Sequence, residues 1–175
     1  QTHIVLGGPT VRYGDPRRYA MTLVSLMLGG GMSSRLFQRV REEMGLAYSV
    51  YTFQSYHVDS GLQGVYAGTS PDTADEALAA IWRELEQVAG DGFPDAEIEA
   101  GKNQLKGQLT LSLESPTSRM FRVAATALYD EPFLPLDEAL ERIDAITAEQ
   151  VSQACREFFQ PARQTVITLG RAGAS

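Results

Sequence analysis

The sequence predicts an α+β fold, in which helices pack on one face of an antiparallel β-sheet. Four short segments have the apolar, β-branched or aromatic composition of strands. These segments do not alternate regularly with the helical segments, as they would in a parallel sheet. The chain has 175 residues, of which 43% are hydrophobic, and this size fits one domain with a sizeable core.

A strand and a buried helix are predicted at the start of the chain. The apolar run HIVLGG (3–8) is typical of a buried strand. A helix is predicted over 15–31, with Asp15 as its N-cap and Pro16 at its first position. Apolar residues occupy almost every face of its last turns, so we expect this helix to be deeply buried.

A second, shorter helix is predicted over 33–44, directly after the three glycines that end the first one. Either Ser33 or Ser34 can serve as its N-cap, because a hydroxyl oxygen can accept a hydrogen bond from a backbone N–H of the first turn. Gly45 suits the position just after the helix, where a left-handed backbone is common.

Two strands joined by a tight turn are predicted next. The segments 46–58 and 61–70 are rich in Tyr, Val, Phe and Thr. The residues between them, DSG (59–61), are typical of a turn. This arrangement predicts an antiparallel hairpin.

The rest of the chain is predicted to hold five helices and a closing strand. The first of these helices is predicted to have Ser70 as its N-cap and carries an apolar stripe at helical spacing. A capping box, Thr147 with Gln150, marks the start of the last helix. The predicted helices are 70–90, 94–113, 116–129, 135–146 and 147–159, and the strand is 164–170.

Composition and charge exclude several classes of function. The formal net charge is −7 and the arginine-rich cations form no basic cluster, so we expect no nucleic-acid partner. No apolar run approaches the roughly 18 residues that a membrane span needs, which fits a soluble protein. The chain starts without Met inside a predicted strand, so we expect residues 1–175 to be one domain of a longer protein. A single cysteine is compatible with a location in either the bacterial cytoplasm or the periplasm.

The residues of familiar catalytic sites are missing from the sequence. His3 and His57 are the only histidines, and neither HxxEH nor HExxH is present, so we expect no catalytic metal in this chain. Cys155 lies in an apolar helical pattern without a histidine near it in sequence, which indicates a core residue. The glycines at 29–31 are not followed by the Lys-Ser/Thr pair of a phosphate-binding loop.

One arginine and one tyrosine, seven residues apart, remain as candidates. On a helical wheel Arg41 borders the apolar face of its helix, so its stem can cover that face while its guanidinium reaches one edge. Tyr48 follows the Gly45 break on an extended chain, so both side chains can reach the same edge of the domain. The pattern alone favours a plainer interpretation, with a surface arginine paired to a neighbouring glutamate and a tyrosine half-buried in a sheet.

The segment LGGGMSSRLFQRVREEMGLAYSVYTF (28–53) favours the functional interpretation of Arg41 and Tyr48 over the plainer one. It strongly resembles the C-terminal, non-metal half of the pitrilysin/insulinase family of zinc peptidases, which includes mitochondrial processing peptidase. The resemblance continues through GLQGVYAGTSPDTADEAL, EIEAGKNQLKGQL and SLESPTSRM, so it covers nearly the whole chain.

The resemblance implies a role for this chain that is completed by another domain. In the family, two homologous halves close like a clamshell around a peptide chamber, and one half binds catalytic zinc through HxxEH. The other half supplies an arginine and a tyrosine, which correspond here to Arg41 and Tyr48. Tyr48 would donate a hydrogen bond to the scissile carbonyl as it becomes an oxyanion, and Arg41 would hold a neighbouring substrate carbonyl. Zinc is expected only in the partner half.

The resemblance therefore predicts the substrate-binding, catalysis-assisting half of a zinc metalloendopeptidase, inactive alone because HxxEH is absent. Its expected partners are an HxxEH-bearing domain, in the same polypeptide or in a separate subunit, and a peptide substrate. Isolated from that partner, the domain is expected to form a homodimer through its uncovered interface. The alternatives are a non-catalytic core subunit of the same fold, as in a respiratory complex, and a peptide-binding module.

Overall fold

The structure, a computed structural model, describes residues 1–170 of the chain as one four-stranded sheet with surrounding helices. A π-helical segment, Phe37–Glu43, precedes the second strand. The strands are β1 (Thr2–Thr10), β2 (Ser49–Tyr56), β3 (Gly61–Thr69) and β4 (Thr165–Leu169), and the helices are α1 (Arg18–Gly29), α2 (Ala74–Asp91), α3 (Asp95–Ser112), α4 (Pro116–Tyr129), α5 (Leu136–Asp144) and α6 (Ala148–Phe158).

The sheet has the order β2-β3-β1-β4, and every neighbouring pair is antiparallel. The hairpin of β2 and β3 was predicted from the DSG turn, and its strands pair from Ser49 opposite Gly68 to Tyr56 opposite Gly61. β1 lies between β3 and β4, so the first and last strands of the chain are neighbours. β2 and β4 are therefore the two edges of the sheet.

The two faces of the sheet have different surroundings. On β1, Ile4 and Leu6 point toward the helices and are buried, whereas the alternate residues His3 and Val5 point the other way and are only half-buried. Helices α1, α2 and α6 supply the core on the first face. This confirms the predicted α+β fold with helices on one face of an antiparallel sheet.

Helix α1 lies at the centre of the core, as its apolar sequence predicted. It packs against β2, α3 and α6, and eight of its twelve residues are buried. Its last residue, Gly29, lies so close to β2 that an added Cβ would meet the backbone nitrogen of Thr52 at 2.6 Å. The hydroxyl of Thr52 also donates a hydrogen bond to the Ser25 carbonyl at 2.7 Å. This contact fixes β2 against the helical layer.

Several predicted N-caps are wrong. The first helix begins at Arg18 rather than near 15, and the residue at its N-cap position, Arg17, makes no side-chain cap. The Asp15 carboxylate accepts hydrogen bonds from the backbone N–H and the side chain of Arg17, in the turn that precedes the helix. Ser34 donates its hydroxyl to the Gly31 carbonyl, and no serine caps the following segment. Ser70 makes no side-chain cap either.

The second half of the chain follows the prediction closely. The capping box of α6 is present, with the Thr147 hydroxyl and the Gln150 side chain each bonded to the other's backbone N–H. Helix α4 spans Pro116–Tyr129 as predicted but buries none of its residues. Among the helices in residues 1–170, none is both long and apolar enough to span a bilayer.

Candidate functional site

The helical segment that carries Arg41 is a π-helix rather than the predicted α-helix. The Met44 N–H donates to the Arg39 carbonyl, five residues back, at 3.1 Å, and helical backbone begins only at Arg35. Leu36 and Val40 are fully buried and anchor the segment on the core. π-Helical turns are rare and are frequent at functional sites.

Gly45 turns the chain from this segment into β2. Its φ is +64°, in the left-handed region that glycine adopts without steric cost, as its predicted position required. Beyond it, the Leu46 N–H donates to the Val40 carbonyl at 2.9 Å, and the Thr69 hydroxyl donates to the Leu46 carbonyl at 2.5 Å. The backbone between Arg41 and Tyr48 is therefore held at both ends.

Tyr48 lies immediately before edge strand β2. Its backbone N–H donates to the Gly68 carbonyl of β3 at 2.8 Å, which fixes the main chain. Its side chain is 60% exposed, and its hydroxyl has no hydrogen-bond partner within residues 1–170. The half-burial expected from the plainer interpretation is therefore wrong, and the phenol is available as a donor.

Arg41 also lies on the surface, with its guanidinium 4.7 Å from the centre of the Phe37 ring. Its Nε atom forms a surface ion pair with the Glu42 carboxylate at 3.7 Å, as the plainer interpretation predicted, but this distance is too long for a hydrogen bond. The other arginines of this segment are engaged: Arg35 pairs with Glu97 at 2.8 Å, and Arg39 pairs with Glu43 at 2.9 Å. Within residues 1–170, the guanidinium donors of Arg41 are not bonded to any acceptor.

The sheet face opposite the helices carries a group of ring side chains that the sequence analysis missed. Tyr51 on β2 lies directly opposite Tyr66 on β3, with ring centres 4.9 Å apart. The Tyr66 hydroxyl is 2.8 Å from His3 Nδ1 on β1. The period-two alternation of the strands is the signal that could have identified this row.

The side chains described in residues 1–170 do not fit a catalytic metal. His, Cys, Asp and Glu form no group of three or more there that could hold an ion. His3 is bonded to Tyr66, and His57 Nε2 lies 3.1 Å from the Ser55 hydroxyl.

Cys155 does not fit a nucleophile. It is fully buried, as its apolar pattern predicted. Burial raises the pKa of its thiol to about 12, against the lowering effect of Arg35 and Arg156. The thiol is therefore protonated at neutral pH, whereas the thiolate is the reactive form.

Arg41 and Tyr48 are exposed and line none of four cavities found among residues 1–170. These cavities, with volumes of about 320, 580, 300 and 200 Å³, are lined by other side chains. A peptide held by this arginine and this tyrosine would need a second surface to enclose it.

Replacing Gly45 by alanine is expected to lower the free energy of unfolding by about 1–2 kcal/mol, the cost of a left-handed backbone for a residue with a Cβ. An added Cβ meets nothing within 4 Å, so the whole loss comes from the backbone. The control is Gly107→Ala in α3, also sterically open, which should gain about 0.5–1 kcal/mol. Urea unfolding measures both, and a neutral Gly45→Ala would contradict the requirement for φ above zero.

The sequence matches a known peptidase domain family and longer proteins named zinc proteases. The family described as Peptidase M16 inactive domain matches residues 1–105. An uncharacterized zinc protease of Streptomyces coelicolor, SCO5738, is 42% identical over 159 residues, which cover 91% of this chain and 35% of that protein. An uncharacterized zinc protease of Bacillus subtilis, YmxG, is 39% identical over 159 residues, covering 91% of this chain and 39% of that protein. The chain thus spans between a third and two fifths of these relatives.

A solved structure shows the same fold. The crystal structure of a peptidase M16 inactive domain from Pseudomonas fluorescens superimposes with a TM-score of 0.90 at 23% identity, over 99% of this chain and 41% of that one. The match to the family covers more than half of the chain and confirms the resemblance to the non-metal half of the pitrilysin-type peptidases. The chain belongs to the Peptidase M16 inactive domain family.

Proposed function

We propose that this chain is the substrate-binding, catalysis-assisting half of a zinc metalloendopeptidase. The observation that carries the proposal is the state of Arg41 and Tyr48. Both side chains are exposed, both have hydrogen-bond donors without an acceptor in residues 1–170, and both stand on backbone fixed by buried neighbours. A bound peptide offers the carbonyl acceptors that such donors need.

Tyr48 is assigned to the carbonyl of the bond that is cleaved. A neutral phenol donates one hydrogen bond, and that bond strengthens as negative charge develops on the carbonyl oxygen. The hydrogen bond from the Tyr48 N–H to Gly68 keeps the backbone in place, so only the side-chain torsions remain to be ordered. Such a donor stabilises the transition state more than the bound substrate.

Arg41 is assigned to a neighbouring carbonyl of the substrate. Its guanidinium carries five N–H donors and no acceptor, so it suits a peptide carbonyl in both the ground state and the transition state. The Phe37 ring beneath it covers one face of the group and limits its orientations. We therefore expect Arg41 to contribute to binding more than to the chemical step.

The catalytic zinc and the general base are assigned to an HxxEH-bearing partner half. Two observations support this assignment. The side chains described here do not fit a metal, and relatives that are longer than this chain are named zinc proteases. The zinc ion would polarise the carbonyl and activate water when bound in that half.

Reconstitution tests the proposal. The chain alone should cleave no peptide, and zinc added after dialysis against a chelator should not bind stoichiometrically. Mixed with the HxxEH half of the same protein, it should restore cleavage of a long fluorogenic peptide. The proposal is wrong if the HxxEH half is fully active alone, or if the mixture binds peptide without cleaving it, as a scaffold or a binding module would.

A further inference from the structure

A cavity lies between the start of α1, α4 and α5, and neither Arg41 nor Tyr48 lines it. This cavity of about 200 Å³ is lined by three arginines and one glutamate, together with aromatic and apolar side chains. The charged residues that line it are Arg18, Arg122, Arg142 and Glu131. They leave an excess of two positive charges in a chain whose formal net charge is −7.

The three arginines have no carboxylate partner in the part of the chain that is described. Within residues 1–170, none of their nitrogens forms an ion pair, whereas cations elsewhere do: Arg17 with Asp15, Arg35 with Glu97 and Arg156 with Glu149. The Glu131 carboxylate lies against Gly14 rather than on these guanidiniums. Three arginines with a single glutamate leave the cavity lining positively charged, which favours an anionic ligand.

The arginines are held in place by aromatic rings and backbone rather than by acids. Arg18 lies 3.8 Å from the centre of the Tyr13 ring, which in turn stacks on Tyr129 at 3.7 Å with an angle of 7° between the planes. Arg142 donates from Nη1 to the Tyr19 hydroxyl at 3.2 Å. These contacts fix the groups while leaving further N–H donors unused.

The third arginine approaches from α4. Arg122 donates from Nη2 to the Leu134 carbonyl in the loop before α5. Its guanidinium carbon is also 5.6 Å from the centre of the Phe133 ring. Both contacts are to a segment of the same cavity wall, so the position of this guanidinium is set before any ligand arrives.

We propose that this pocket, lined by Arg18, Arg122 and Arg142, binds a small dianion whose charges lie on oxygen atoms. A phosphate monoester and a dicarboxylate share this chemistry, because the guanidinium fork matches carboxylate and phosphate oxygens equally well. Two negative charges balance the excess of the pocket, and a cavity of about 200 Å³ admits a ligand of a few heavy atoms.

Calorimetric titration of the purified chain tests the site with methyl phosphate and with succinate, at constant ionic strength. Acetate, a monoanion, is the ligand control. We expect saturable binding of at least one dianion and much weaker binding of acetate. The dianion that binds identifies whether the ligand is a phosphate or a dicarboxylate.

Substitutions then locate the binding. Arg122→Gln and Arg142→Gln should each raise the Kd for the dianion roughly 10- to 100-fold. This factor corresponds to the loss of one hydrogen bond to a charged group. Arg119→Gln on the same helix is the matched control, because Arg119 makes no ion pair within the described chain and lines a different cavity. It should leave binding unchanged, and unfolding midpoints confirm that each variant is folded. Absence of saturable binding, acetate binding as tight as the dianions, or equal losses in all three variants would overturn the proposal.

Discussion

Tyr48→Phe is expected to lower the kcat of the assembled peptidase by roughly 10²–10³, with little change in KM, as for the loss of other single oxyanion donors. The substitution removes one hydroxyl that has no partner within residues 1–170, so the fold loses no hydrogen bond described there. The ring remains, and contacts that the substrate makes in its ground state are kept. Steady-state kinetics on a long peptide measure the effect.

Two further variants make the result specific to Tyr48. Tyr51 is an exposed tyrosine on β2, three residues after Tyr48. Tyr51→Phe removes its hydroxyl and should leave kcat unchanged. Arg41→Ala should raise KM more than it lowers kcat, because its contact is proposed to exist before and during the reaction. Equal, small effects of Tyr48→Phe and Arg41→Ala would mark both as ordinary surface residues.

Leu36→Ala should destabilise the domain by about 2–5 kcal/mol, the range for removing a large buried aliphatic side chain. Leu36 is fully buried at the start of the helical segment that carries Arg41, and its loss leaves a cavity beneath that segment. Each kcal/mol lowers Tm by roughly 2–4 °C for a domain of this size. Thermal unfolding followed by circular dichroism measures the change.

Met32→Ala is the matched control for Leu36→Ala. Met32 precedes the same segment and is a large apolar residue, but it is 76% exposed. Its substitution should therefore change stability by no more than about 0.5 kcal/mol. Similar losses for the two variants would show that Leu36 does not anchor the segment.

Local sequence signals predicted the parts of the fold that depend on near neighbours. The β2–β3 hairpin follows from two strand-like segments and a short turn, and α4 follows from Pro116 and its helical composition. The capping box at Thr147 was also correct, because its two partners are three residues apart. In each case the interacting groups are close in sequence.

The same signals failed where a distant or competing contact decides the structure. Asp15 has the residue type of an N-cap, but its carboxylate forms an ion pair with the Arg17 side chain, and the helix begins only at Arg18. The apolar spacing of 33–44 fits an α-helix and a π-helix alike, and the hydrogen bond from Met44 to Arg39 distinguishes them. Arg41 and Tyr48 were identified from the resemblance to the non-metal half of the zinc peptidases. Their spacing alone favoured an ordinary surface arginine and a tyrosine half-buried in the sheet.

The arginine-lined cavity could not be predicted from the sequence at all. Arg18, Arg122 and Arg142 belong to three helices and are separated by up to 124 positions in the numbering of the chain. Nothing local distinguishes them from the arginines that form ion pairs. Only the packing of α4 and α5 beside the start of α1 brings them to one cavity.

The rate at which the buried Cys155 thiol reacts with a reagent measures how often this domain opens. Cys155 is the only cysteine in the chain, and in the folded state it is both shielded from solvent and protonated at neutral pH. A thiol reagent can react with it only when the core around α6 separates, so the labelling rate follows the population of open molecules. Any cysteine introduced on the surface, for example at an exposed position of α4, would react first. A dye can therefore be placed at one chosen site without removing the native residue.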